Sequence, residues 1–161
     1  MRKHTRRKVW PMISTLEHAA YQSSTLTMSE WNVQMTPVLS AIDSLRQGDW
    51  QRDNWSPLFE VLNRIESITK ILHVQDHGLI NDAQAAYTSA LLRKESTGAC
   101  AFKAGELATL REVVEVYGNL LKEISHAQFN AACQHTNANV SRILNQRDGR
   151  MVGSVLVEER A

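Results

Sequence analysis

The chain has 161 residues, of which 43% are hydrophobic, and its 18 Lys and Arg residues almost balance its 17 Asp and Glu residues. This length is sufficient for one compact domain with a buried core. The longest apolar stretches are far shorter than the roughly 20 residues that cross a bilayer, which excludes a membrane-spanning segment. No signal peptide is expected, because the basic start is not followed by an apolar run of roughly 7 to 15 residues. We therefore predict a cytoplasmic protein.

Positive charge is concentrated at the N-terminus. Five basic side chains lie among the first eight residues: Arg2, Lys3, Arg6, Arg7 and Lys8. The rest of the chain has 13 basic and 17 acidic residues, and so a formal net charge of −4. A cationic cluster can neutralise phosphates or contact acidic groups of a protein. We predict that residues 1–12 form a basic arm that contacts nucleic acid or protein.

Helical periodicity continues over residues 13–146 and predicts an all-α bundle of five or six helices. The first helix is expected to be short, over residues 13–21, because the polar residues 22–25 follow it. The second helix begins after Thr27, which forms a capping-box pair with Glu30. Its apolar stripe comprises Trp31, Met35, Val38, Leu39, Ile42 and Leu45.

Proline and glycine mark the limits of the second and third helices. Pro37 lies within the second helical segment, which is therefore either kinked there or a short turn followed by a helix, and Gly48 suits its left-handed end. The third helix should have Pro57 in its first turn and run to about His73. Three residues can cap it: Asp53, Asn54 and Ser56. Its wide apolar face comprises Trp55, Leu58, Phe59, Leu62, Ile65, Ile68 and Leu72.

Three further helices complete the predicted bundle. An Ala-rich helix follows Gly78 and ends before Gly98, and its small residues permit close approach of a neighbouring helix. A fifth helix has apolar residues at helical spacing over residues 107–124. Ser125 and Gln128 form a second capping box, which begins the sixth helix.

The last segment, residues 147–161, has a different pattern. Two glycines and a β-branched run predict a turn followed by an extended piece. This segment is either a frayed tail or a docking strand, and we favour the tail because chain ends are usually mobile.

Histidines provide the first candidate metal ligands. His73 and His77 have the i, i+4 spacing of one helix face and, with Asp76, could supply three ligands. We interpret this segment instead as a helix exit, where the helix dipole favours histidine. No phosphate-binding loop or nucleophile elbow is present. We therefore assign no metal, no cofactor and no catalytic residue.

The two cysteines, Cys100 and Cys133, are expected to be thiols that pack as small buried hydrophobic residues. Cys133 could also join His135 and His126 in a site, but it falls on the apolar stripe of the sixth helix and core packing is preferred. Three acidic residues of the fifth helix do not form the paired motifs of a di-iron site and are expected on a solvated face: Glu112, Glu115 and Glu123.

Tryptophan is concentrated in the first third of the chain, at Trp10, Trp31, Trp50 and Trp55. Tryptophan is enriched at protein interfaces because it buries a large area at little entropic cost. Trp50 precedes the third helix and misses its apolar stripe, so we expect it to be exposed and to contact a partner. The alternative is that all four residues seal the bundle.

Short stretches of the first half carry a resemblance to a known group of proteins. They are residues 3–10, Gly48, residues 53–55 and residues 62–63, within matched regions that cover residues 3–10 and 39–68. These stretches resemble a group of small uncharacterised proteins that bacteriophages and prophages of proteobacteria carry. The resemblance implies a phage-related cytoplasmic protein but no activity and no site residues.

These features together predict a phage-type helical interaction protein without catalytic activity, acting as a regulator or inhibitor of a host protein. We expect it to bind a protein partner or to form a homo-oligomer. The alternative is a nucleic-acid-binding protein that uses the basic arm, although the acidic remainder of the chain would repel a phosphate backbone. An enzyme with scattered His and Glu residues is the least favoured class.

Overall fold

The computed structural model describes residues 15–49, 52–75, 77–98 and 101–145, which form six α-helices and no strand. The helices are α1 (Thr15–Ser23), α2 (Met28–Arg46), α3 (Arg52–Ile71), α4 (Gly78–Thr97), α5 (Ala104–Glu123) and α6 (His126–Asn145). The predicted all-α class is confirmed. The basic arm, Trp50 and the C-terminal segment predicted to be extended lie outside the described residues. Within the described helices, none combines the length and apolar character needed to span a bilayer.

Helix α3 lies at the centre of the bundle. It packs against α2 on one side and α6 on another and also contacts α4 and α5, while α4 packs along α5. Leu58, Leu62 and Ile65 of α3 are almost completely buried, as the predicted apolar face requires. Facing helices supply further large buried side chains, among them Tyr87, Leu110, Tyr117 and Leu121.

One residue of the predicted α2 stripe does not belong to the core. Met35, Val38 and Ile42 are buried, whereas Leu39 is 48% exposed. The buried residues follow the i, i+3, i+7 spacing of one helix face, and a helix turns by about 100° from one residue to the next. Leu39 follows Val38 by one position and therefore lies at the edge of the buried face.

The structure decides between the two interpretations of Pro37 and corrects the predicted position of Pro57. Helix α2 continues through Pro37, so a short turn followed by a new helix is wrong. Pro37 is exposed, and water can satisfy the backbone carbonyl that loses its helical partner there. Helix α3 already begins at Arg52, so Pro57 lies in its second turn instead of its first. The predicted capping residues of α3 therefore lie within the helix.

The predicted helix ends at Gly48 and Gly98 are confirmed. These residues adopt left-handed φ values of 84° and 68°, which glycine accepts without steric cost. Helix α3 ends two residues before the predicted position because His73 itself takes φ 55°. The amide of Val74 then donates to the carbonyl of Thr69 at 3.0 Å, as in a helix-ending Schellman motif.

Both predicted capping boxes are present. At α2, the Thr27 hydroxyl oxygen accepts the Glu30 amide at 3.3 Å, and the Glu30 carboxylate accepts the Thr27 amide at 2.8 Å. At α6, the Ser125 hydroxyl oxygen accepts the Gln128 amide at 3.3 Å, and the Gln128 side-chain oxygen accepts the Ser125 amide at 2.9 Å. These reciprocal bonds fix the two helix starts, which lie close together because Thr25 and Ser125 form an isolated antiparallel bridge.

Candidate functional site

Helix α1 differs from the rest of the bundle because none of its residues is buried. Leu16, on its first turn, is 81% exposed, and Ala19 and Ala20 one turn later are also exposed. Spacings of i, i+3 and i+4 place these three apolar side chains on one face of the helix. The core therefore does not hold α1 in place, and its attachment depends on other contacts.

Four residues provide such contacts, Tyr21, Ser24, Glu30 and His126, and we call them the α1 clamp. The ring of Tyr21 stacks on the imidazole of His126 with centroids 4.2 Å apart and an angle of 28° between the planes. The backbone amide of His126 donates to the carbonyl of Ser24 at 2.9 Å. His126 is only 5% exposed, so the clamp joins the end of α1 to the start of α6 around a buried ring.

Both ring nitrogens of His126 are in contact with polar partners. Nδ1 lies 2.9 Å from the carbonyl oxygen of Ser24 and 3.2 Å from its hydroxyl oxygen. Nε2 lies 3.0 Å and 3.1 Å from the two carboxylate oxygens of Glu30. The imidazole therefore bridges the segment after α1 and the first turn of α2.

Glu30 is held in its ionised form. Its carboxylate accepts the amide of Thr27 at 2.8 Å and the hydroxyl of Thr27 at 2.7 Å. The Thr27 amide, the Thr27 hydroxyl and His126 together lower the pKa of Glu30 to about 2. Glu30 is thus a permanent acceptor at neutral pH.

Ser24, His126 and Glu30 have the residue types of a catalytic triad, but their hydrogen bonds do not support nucleophilic catalysis. The Ser24 hydroxyl donates to the carbonyl of Tyr21 at 2.8 Å. Nδ1 of His126, the ring nitrogen nearest that hydroxyl, faces the Ser24 carbonyl, which can only accept. A general base must instead present a free lone pair to the nucleophile. The geometry is suited to holding α1 in place.

The histidine pair at the end of α3 is not arranged on one helix face as a metal site on the helix would require. His73 is exposed, and His77 lies just before α4 with its Nδ1 atom 3.4 Å from the Thr69 hydroxyl. Because α3 ends at Ile71, the two histidines do not share a helix face, and Asp76 lies outside the described residues. Over the described ranges, no group of three or more His, Cys, Asp or Glu residues could hold a metal ion.

The candidates on α6 are also separated from one another. His126 belongs to the clamp, while the exposed His135 has its Nδ1 atom 3.0 Å from the Ser67 hydroxyl. Cys133 is a free thiol that is half-buried, not buried as predicted, and it lies close enough to the charged side chain of Arg64 to be influenced by it. Burial raises the pKa of this thiol, while Arg64 lowers it. Cys100 lies outside the described residues.

Arg64 is a polar centre of the bundle that the sequence pattern did not identify. Its guanidinium donates to the side-chain oxygen of Gln34 at 2.8 Å and to the Tyr117 hydroxyl at 3.2 Å. It also lies 5.7 Å from the ring centroid of Phe129. Burial raises the pKa of Tyr117 even though Arg64 lowers it. Arg64 joins α3 to α2, α5 and α6 and is a structural brace between helices.

The remaining sequence predictions concern the acidic residues of α5, the tryptophans and the residues expected to contact a partner. The predicted solvated face of α5 is confirmed, because Glu112, Glu115 and Glu123 are exposed. Trp55 is buried and Trp31 is half-buried, so both pack in the bundle. The proposed partner contacts Arg2, Lys3, Arg6, Arg7, Lys8 and Trp50 all lie outside the described residues.

Only part of the α1 clamp can be recognised from the sequence. The capping box identified Glu30, but nothing local connects that residue to His126, which follows 96 positions later.

Comparisons with models of protein families, with curated proteins and with solved structures found no match.

Proposed function

We propose that this chain is a phage-type interaction protein without catalytic activity, which regulates or inhibits a host protein in the bacterial cytoplasm. The observation that supports this proposal is the exposure of α1. This helix adds nothing to the core, yet the α1 clamp fixes its last turn to the bundle. A folded element that does not stabilise the core is a natural candidate for contact with another molecule.

The length of α1 is consistent with this role. Isolated helices shorter than about 12 to 15 residues are marginal in water, and α1 has 9 residues. The clamp therefore supports a helix that would otherwise be largely unfolded. Preorganising a binding element reduces the entropy that is lost when it meets its partner.

The exposed side chains indicate what kind of partner would fit. Leu16, Ala19 and Ala20 form a narrow apolar stripe, which is typical of helices that bind in a hydrophobic groove. The basic arm precedes this helix in the sequence, with five Lys and Arg residues among the first eight. A protein groove with an apolar floor and acidic residues at its rim would complement both features.

A second candidate function is nucleic-acid binding through the basic arm. Its support is the same cluster of five charges, since Lys and Arg bind phosphates without sequence preference. The rest of the chain opposes this role with its net charge of −4. A protein partner is therefore favoured over nucleic acid.

The experiment is a pull-down from a bacterial host lysate, with and without nuclease, using the full chain and two variants. Leu16→Asp places a charge on the α1 stripe, whereas Leu92→Asp is the matched control on α4, where Leu92 is 52% exposed. We expect one host protein to be recovered by the parent chain and by Leu92→Asp, irrespective of nuclease, and to be lost with Leu16→Asp. Recovery that disappears with nuclease would favour the second candidate. Equal loss with both variants would contradict a role for α1.

A further inference from the structure

The two nitrogens of the His126 ring have different partners, but both require a proton from the ring. Glu30 is ionised and has no proton to give, so Nε2 must donate to it at 3.0 Å. The carbonyl of Ser24 can only accept, so Nδ1 must donate to it at 2.9 Å. A neutral imidazole carries one N–H and cannot satisfy both acceptors, whereas an imidazolium carries two.

The Ser24 hydroxyl does not remove this requirement. It lies 3.2 Å from Nδ1, but its single proton is donated to the carbonyl of Tyr21 at 2.8 Å. If Nδ1 lost its proton, the hydroxyl would have to turn toward it and release the Tyr21 carbonyl at the end of α1. The Nδ1 lone pair would still face the Ser24 carbonyl oxygen, and two acceptors at that distance repel each other.

We propose that the proton on His126 controls the attachment of α1, so that the imidazolium holds the helix against the bundle and the neutral ring releases it. Histidine is the side chain whose charge ordinarily changes between about pH 5 and pH 8. The docked form is favoured by protonation of the ring, so attachment of α1 should weaken as the pH rises and the ring loses its proton.

Two other titratable groups face the ring in the described part of the chain. Glu30 approaches from α2, and the Tyr21 phenol stacks on the ring from α1 and lies 3.4 Å from the Glu30 carboxylate. Glu30 remains ionised throughout this pH range because its pKa is held at about 2. The change in charge that alters the clamp is therefore that of His126.

The release of α1 does not depend on a partner. The idea that this release regulates partner binding rests on the proposed function. The released helix would no longer hold Leu16, Ala19 and Ala20 in a preorganised stripe. An experiment on the isolated full chain tests the release by itself, and its result stands whatever the lysate experiment shows.

The experiment measures amide hydrogen exchange of α1 at several values between about pH 5 and pH 8, corrected for the intrinsic effect of pH on exchange. The ring ¹⁵N shifts of His126 are followed on the same sample to report its protonation. We expect protection of α1 amides to be lost with the same midpoint as the His126 titration, while α3 amides remain protected. Titration of His126 without loss of α1 protection would overturn the proposal.

Two variants complete the test. His126→Gln can still donate to Glu30 but has no titrating nitrogen, so protection of α1 should no longer vary with pH. His135→Gln is the matched control, because His135 lies on the same helix and is exposed. This control should keep the pH dependence of the parent. Protected α3 amides show whether each variant is folded, and a pH dependence that persists in folded His126→Gln would contradict the proposed switch.

Discussion

The indole Nε1–H of Trp31 donates a hydrogen bond to the backbone carbonyl of Gly118 at 2.7 Å and so joins α2 to α5. The two helices approach closely here because Gly118 has no side chain. A Cβ atom at this position would lie 3.0 Å from Cε of Met35 and 3.4 Å from Cζ2 of Trp31. Lys122 adds a cation–π contact, with its Nζ atom 5.2 Å from the Trp31 ring centroid.

Substitution of Gly118 tests this close approach. Gly118→Ala gains up to about 1 kcal/mol of helix propensity but presses on the flexible end of Met35, so the two effects should largely offset each other. Gly118→Val adds two further methyl groups at the crossing and should reduce the free energy of unfolding by about 1 to 3 kcal/mol. Urea unfolding measures both. Equal stability of the Val variant and the parent would show that the helices can separate without cost.

Leu62 tests the packing of α3. This residue is 1% exposed, so Leu62→Ala should lower the free energy of unfolding by about 2 to 5 kcal/mol through lost burial and a residual cavity. Leu39→Ala is the matched control at an exposed position and should change it by no more than about 0.5 kcal/mol. Denaturant unfolding of the two variants gives the comparison. Similar losses would mean that the buried faces of α2 and α3 are wrongly assigned.

Glu30 should contribute to the dependence of stability on pH. Its pKa is lowered from 4.5 to about 2 in the folded protein, so its contribution is fully present above about pH 4.5 and is lost as the pH falls toward 2. The stability difference between the parent and Glu30→Gln should therefore shrink over that range. Urea unfolding at a series of pH values measures it, with the exposed Glu112→Gln as control. A difference that is constant with pH would refute the assignment.

The basic arm can be tested through salt dependence. If it bound duplex DNA through about four phosphates, the logarithm of affinity would fall with the logarithm of salt concentration at a slope of roughly −3.6. We expect only weak binding to arbitrary DNA, because the favoured role of the arm is contact with protein. Fluorescence anisotropy with a labelled duplex provides the measurement. Tight binding near physiological salt, lost when all five basic residues become Ala, would reverse this preference.

Self-association is a further expectation. Met28 and Val33 of α2 are large apolar residues that remain exposed in the single chain, in addition to Leu16 of α1. We expect light scattering at micromolar concentrations to give a mass above the 18.2 kDa of one chain and to rise with concentration. A constant mass of one chain would exclude the homo-oligomer.

Local signals in the sequence were sufficient for most helix limits. The pairs Thr27 with Glu30 and Ser125 with Gln128 each lie three residues apart, and Gly98 stops its helix by its own backbone preference. Such features act within one helical turn and can be recognised without knowledge of the fold. The order of the helices follows from them, whereas their number is left at five or six.

The wrong position of Pro57 and the contacts of Arg64 and His126 that were not predicted do not arise from such local signals. Three possible caps precede Pro57 and predict that it lies in the first turn, but α3 begins before all of them, at Arg52. Arg64 acquires its partners only when four helices are assembled, and His126 only when three are, from positions up to 102 residues away. Periodicity describes which face of a helix is buried, but it carries no information about which polar groups meet across the bundle.

The bridge between Thr25 and Ser125, together with the His126 ring beside it, has a consequence for how the chain acquires its shape during synthesis. Helix α1 is synthesised before α6, so Ser125 and His126, which fasten it, emerge from the ribosome about 100 residues later. Until α6 has formed on α3, the His126 ring and the bridge at Ser125 are not in place to hold α1. Helix α1 is thus secured only once α6 is in place, and bringing these distant segments together has an entropic cost.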